Sequence, residues 1–139
     1  MATDFQITFD ADDPPALAAF WQLAMGYTAE PPPPGFATWE EFAAANDIPA
    51  DQIGNYGSAI DPSGTGPRML FLKVPEGKTA KNRMHLDLLV PDPEAHVARL
   101  VEAGATKVET RSEMGTTWTV MLDPEQNEFC VAKDHVDHD

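Results

Sequence analysis

The sequence predicts an α+β fold made of two paired βαβββ units, whose sheets would form an incomplete barrel around a cup. Three observations predict it. The pair Asp13-Pro14 returns as Asp92-Pro93, and Gly26 returns as Gly104 one residue short of the same interval. Period-two alternation precedes each aspartate–proline pair, and β-rich segments follow each glycine. A supersecondary unit present twice explains this spacing more simply than a solenoid, which needs three or more repeats.

Taken in order, DFQITFD (4–10) sets Phe5, Ile7 and Phe9 against Gln6, Thr8 and Asp10, the pattern of a half-buried strand. In DDPPALAAFWQLAMGY, Asp13 is a natural helix cap, Pro14 suits the first turn, and Gly26 can stop the helix in a left-handed conformation. Leu17, Phe20, Trp21 and Ala24 give that helix one apolar stripe. A short strand near Tyr27, another at 58–61 and a third, RMLFLKV (68–74), complete the first unit.

An insertion at 31–57 interrupts this unit. Its proline run favours extended structure. Thr38 with Glu41 reads as a capping box for a short helix that Asn46 to Pro49 ends. Trp39 and Phe42 stand one turn apart on that helix and need a surface to cover, either the cup mouth or a partner.

The polar stretch PEGKTAKN (75–82) joins the units. In MHLDLLV (84–90), Met84, Leu86, Leu88 and Val90 share one face, and His85, Asp87 and Leu89 the other. The apolar face predicts core, and the face with His85 and Asp87 predicts the cup wall. A helix follows, with Asp92 as cap, Gly104 as stop and Val97, Leu100 and Val101 as its apolar stripe. Strands are expected at 105–111, 116–122 and 128–133, the last two joined by the turn DPEQN. The expected organisation is one domain over 1–139, with unit 1 at about 4–74 and unit 2 at about 82–133.

Nine basic against 23 acidic residues leave a net charge of −14, which disfavours nucleic acid and anionic membranes as partners. The single cysteine, Cys130, forms no internal disulfide, and neither a signal sequence nor a membrane-spanning run is visible. A cytoplasmic setting is expected. No phosphate-cradling glycine loop, nucleophile elbow or zinc-finger spacing appears.

The segments DDPPALAAFWQLAMGY, FLKVPEGKTAKNRMHLDLLVPDP and TTWTVMLDPEQNEFCVAK, in this order, resemble the glyoxalase-like branch of the vicinal-oxygen-chelate superfamily. The resemblance covers nearly the whole chain and is weakest over the insertion. It implies the glyoxalase/bleomycin resistance fold, a homodimer, and metal ligands at Gln6, Leu70, His85 and Glu128. The internal repeat supports this mapping, since Gln6 and His85 are separated by the interval between the two capping aspartates.

Two of those positions carry strong donors. His85 offers an imidazole nitrogen and Glu128 a carboxylate, a set suited to Zn, Ni, Fe or Mn. Gln6 adds only an amide oxygen, and Leu70 has no donor. Two functions follow. In the first, the cup holds a small organic molecule, as an antibiotic-sequestering protein or a metal-poor relative of the enzymes would. There Gln6, His85 and Glu128 make polar contacts, and a carboxylate beside His85 would favour its charged form and let the pair exchange a proton with the ligand. In the second, His85, Glu128 and Gln6 hold a divalent metal for lyase, isomerase or dioxygenase chemistry. A third possibility is an interaction module docking through Trp39.

Around these positions, Asp87 would orient His85. Cys130 shares a strand face with Glu128, as Asp87 does with His85, so both are expected to line the cup and bind the ligand; as a thiol, Cys130 reads as a small apolar residue with no lowered acidity. Thr8, Thr119 and Met121 are expected to complete the wall with Leu70, while Trp118 is expected in the core with Val120 and Leu122. Lys78, Lys81 and Arg83 form a basic cluster that serves either an anionic ligand group or a polar linker. His135 and His138 belong to a solvated tail.

Overall fold

The computed structural model describes residues 2–135. The chain divides into two compact units, Met1–Gly77 and Lys78–Asp139, and the boundary falls inside the polar stretch 75–82. His138 lies outside the described residues. Among those described, no helix is long and apolar enough to cross a membrane.

Unit 1 begins with β1 (Ile7–Ala11), which starts later than the alternation at Asp4 suggests. Helix α1 (Pro14–Met25) follows at once, because the Asp13 carboxylate accepts the Ala16 N–H and Pro14 sits where no donor is needed. It stops at Gly26, whose φ of 68° lets the next amide, that of Tyr27, bond back to Gln22 O at 2.8 Å. Helix α2 (Trp39–Ala45) is capped by Thr38 Oγ1 on the Glu41 N–H at 3.1 Å, while Glu41 Oε2 reaches the Ala37 N–H. A 3-10 turn at Ala50–Asn55, absent from the sequence expectation, leads into β2 (Tyr56–Ala59), and β3 (Met69–Lys73) closes the unit.

The sheet order is β1-β3-β2, with β1 parallel and β2 antiparallel to β3. The strand expected near Tyr27 is a single bridge between Thr28 and Ile60, so among the described residues this unit's sheet has three strands rather than four. Cross-strand neighbours point to the same side. Met69, Phe71 and Ala59 therefore face α1 with Phe9, and meet Leu17 and Trp21; all but Phe9 are at most 1% exposed. Phe9 stacks on Phe71 and tilts against Trp21, with ring centroids 5.1 and 5.3 Å apart. The opposite side carries Thr8, Asp10, Leu70, Leu72, Tyr56 and Ser58.

Unit 2 repeats the plan: β4 (Asp87–Val90), α3 (Pro93–Glu102), β5 (Thr106–Glu113), β6 (Thr116–Leu122) and β7 (Glu128–Lys133). The sheet order is β4-β7-β6-β5, again with the first and last strands parallel neighbours. Asp92 caps α3 through the Ala95 N–H, and Gly104 ends it with a φ of 113°. Leu88, Met121, Phe129 and Val131 form the core face with Val97 and Leu100 of α3. The turn into β7 is tied by Asp123, 1% exposed, whose carboxylate accepts the Glu125 and Asn127 backbone N–H groups and the Asn127 amide.

Candidate functional site

Most of the candidate side chains lie on the side of each sheet away from its helix. In unit 2 the registers lay this side out in three rungs. Leu89, Ala132, Trp118 and Arg111 form one, and Asp87, Cys130, Val120 and Glu109 the next. Glu128, Leu122 and Thr106 form the third. Two expectations are corrected by this register. Thr119 pairs with Val131 and Met121 with Phe129, so both lie on the α3 side, and Met121 is fully buried. Trp118, Val120 and Leu122, expected in the core, occupy the open side and are only half-buried.

His85 lies just ahead of β4, which begins at Asp87 and not at Met84. The ladder's last bond there is Cys130 N–H to Leu86 O, and Met84 is 86% exposed instead of belonging to the core. The chain leaves the ladder because residues 78–82 fold around Glu128. The Asn82 N–H donates to Glu128 Oε2 at 2.6 Å, Lys78 Nζ reaches Oε1 at 3.2 Å, and the Asn82 side chain holds the Glu128 carbonyl. Burial alone would push this carboxyl up, but the Asn82 N–H and the Lys78 ammonium outweigh it and hold it below the usual glutamate range. The polar pair expected between His85 and Glu128 is thus replaced by two others. Glu128 pairs with Lys78, and His85 Nε2 meets Asp87 Oδ1 at 3.2 Å.

Cys130 stands opposite Asp87 in the parallel pair and is 8% exposed. Burial, then the Asp87 charge and hydrogen bond, push its thiol up, while Lys81 and Arg111 partly offset this. His85, Asp87 and Cys130 together bring a nitrogen, an oxygen and a sulfur to within 4.8 Å of one another.

In unit 1, Thr8 and Leu70 are direct neighbours on the open side, and Gln6 precedes them. Sequence reasoning missed Arg68, which dominates this side. Its Nη1 donates to Gln6 Oε1 at 3.2 Å, and its other edge grips both carboxylate oxygens of Glu30, at 3.0 and 2.7 Å. Hydrogen bonding from Arg68 pulls Glu30 below the usual glutamate range, although burial opposes it. The signal available was Arg68 two residues before Leu70, the spacing that puts both on one side of a strand. Phe42 meets Trp39 and Phe36 edge to face, with centroids 5.7 and 5.4 Å apart, and Trp39 Nε1 donates to Glu30 O.

The four positions that the resemblance assigns to metal ligands are occupied as follows. Leu70 has nothing to give, Gln6 Oε1 already accepts from a guanidinium, and both Glu128 oxygens are engaged by donors.

A model of the glyoxalase-like domain matches residues 6–132. No curated protein matches the sequence. Solved structures match over nearly the full chain. FosX, a fosfomycin resistance protein from Mesorhizobium loti, is 10% identical with a TM-score of 0.65, covering 98% of this chain and 94% of its own. A glyoxalase/bleomycin resistance protein/dioxygenase family enzyme from Burkholderia phytofirmans is 19% identical with a TM-score of 0.62, covering 94% and 98%. The bleomycin-binding protein of Streptomyces verticillus, solved with copper(II)-bleomycin, is 13% identical with a TM-score of 0.57, covering 97% and 98%. At these identities the likeness shows a shared glyoxalase/bleomycin resistance fold.

Proposed function

The chain belongs to the glyoxalase-like domain family of the vicinal-oxygen-chelate superfamily, and from that premise we propose that it binds a small neutral or cationic organic molecule on the open sheet side of unit 2. One observation carries this reading: Trp118, Ala132 and Leu89 form an apolar rung beside a polar one that includes Asp87 and Cys130, with His85 and Glu128 at its edge. Apolar surface next to a few convergent polar groups is the usual makeup of a ligand site. Trp118 gives a ring to stack on, and Asp87 and His85 give hydrogen-bonding groups whose side chains are 61% and 46% exposed.

Charge supports the neutral or cationic class. Two cations on this side have carboxylate partners, Arg111 with Glu109 and Lys78 with Glu128. The net charge of −14 repels anions at long range. In the alternative reading, in which His85, Glu128 and Gln6 hold a catalytic metal, the ion would have to displace Lys78 and Asn82 from Glu128 and Arg68 from Gln6. A homodimer in a reducing, cytoplasmic compartment completes the proposal; the family resemblance and the unpaired Cys130 support it.

Aromatic amines and amides, titrated against aromatic carboxylates and phosphonates of matched size, test the reading through tryptophan fluorescence. Saturable quenching by the amines and amides, lost in Trp118→Phe and at least about tenfold weaker for the anions, is expected. No saturable quenching by any compound, or stronger binding of the anions, overturns it.

A further inference from the structure

Beyond the organic ligand, we propose that His85, Asp87 and Cys130 form a three-donor site for a zinc-class divalent cation, built within unit 2 alone. The site is distinct from the four positions implied by family resemblance, sharing only His85 with them.

The geometry follows from the strands. His85 stands at the entry to β4, and its donor atom already meets that of Asp87, the strand's first residue, at 3.2 Å. Cys130 is the parallel-register partner of Asp87, which brings its sulfur from the neighbouring strand to the same side. No two of the three donor atoms are more than 4.8 Å apart. Bonds of about 2.0–2.3 Å at tetrahedral angles need donors spaced roughly 3.3–3.8 Å apart, so side-chain rotation of about an ångström closes the set.

The chemistry of the donors selects the ion. Thiolate, imidazole and carboxylate together suit zinc and disfavour magnesium or calcium, which require oxygen ligands. Three protein donors leave the fourth position to water or to a ligand atom. Cys130 is the anchored member, held in β7 and 8% exposed, while His85 and Asp87 are exposed and free to turn inward. The Cys130 thiol enters as thiolate, so its proton is released to solvent as the metal–sulfur bond forms.

Cobalt(II) is the probe, added to untagged full-length protein without any organic ligand. One equivalent should bind and produce a near-ultraviolet sulfur-to-cobalt charge-transfer band, displaced by zinc and accompanied by proton release. Cys130→Ser should abolish the band. His85→Gln and Asp87→Asn, whose exposed side chains leave the fold intact, should each weaken cobalt binding at least about tenfold. Glu128→Gln should leave the band unchanged. Three outcomes overturn the proposal: no saturable band in the wild type, a band that survives Cys130→Ser, or binding that requires Glu128 but not Cys130 or Asp87. Fluorescence titration of the aromatic amines in the presence of a chelator separates this test from that of the ligand reading, since loss of either result leaves the other standing.

Discussion

Arg68 Nη1 donates to Gln6 Oε1 at 3.2 Å while the rest of the same guanidinium clasps Glu30 with two bonds. One cation therefore joins the start of β1, the entry to β3 and the segment after α1. Arg68→Gln should cost roughly 1–3 kcal/mol, the range for hydrogen bonds to charged groups, in urea unfolding. Glu30 has a lowered folded value, so its contribution is present above the unfolded glutamate range and lost as pH falls through the folded value. The variant should lose less stability than the wild type between neutral pH and that acid limb.

Glu128 is wrapped by Asn82 and Lys78, and the two partners are unequal. Lys78→Met removes a partly exposed ion pair and should cost at most about 1 kcal/mol. Glu128→Ala leaves the part-buried Asn82 N–H without its acceptor and should cost about 1–3 kcal/mol. Faster amide hydrogen exchange at Asn82 in the second variant but not the first would confirm the difference.

Gly57 lies under α1, where an added Cβ would collide with the Pro14 carbonyl oxygen and approach Ala18 Cβ at 3.0 Å. Because backbone and not a flexible side chain stands in the way, Gly57→Ala should destabilise by roughly 1–3 kcal/mol. A normal thermal midpoint for this variant would show that α1 can slide away from β2.

Asp61 organises the loop to Gly66, accepting from the Ser63 N–H and hydroxyl, the Thr65 hydroxyl and the Gly66 N–H. These bonds, led by the Ser63 N–H, lower its carboxyl to about 2. A depressed folded value means stabilisation that is complete above the unfolded aspartate range and lost as pH falls towards 2. Asp61→Asn should flatten the acid limb of the stability curve between those limits, measured by urea midpoints at successive pH values.

The same turn chemistry in unit 2 is buried. Asp123→Ala would strand the Glu125 and Asn127 N–H groups inside the DPEQN turn, at a cost on the order of 3 kcal/mol. A loss below about 0.5 kcal/mol in chemical denaturation would contradict this.

The helices and their limits were legible because caps are local: Asp13, Asp92 and Thr38 each bond to an amide three residues on. Strands β6 and β7 were equally clear from the turn DPEQN that separates them. The side each residue faces in β6 was not. TTWTVML carries apolar groups on both parities, Trp118, Val120 and Leu122 on one and Met121 on the other, and only pairing with β7 decides which side α3 covers. The partner of His85, Asp87, stands two residues away, whereas those of Glu128 were hidden, because Lys78 and Asn82 reach it across some fifty positions of sequence. Arg68 was overlooked for a similar reason: its Gln6 and Glu30 contacts are non-local.

Strand β5 is exposed along its whole length at the margin of its sheet. Such a ribbon would ordinarily recruit a stray chain, yet Lys107, Glu109, Arg111 and Glu113 stud it with alternating charge, and the irregularity between Lys107 and Glu109 spoils its flatness. Neutralising those four side chains would turn Thr106–Glu113 into a seed for fibrils, with precipitation of concentrated samples as the visible symptom.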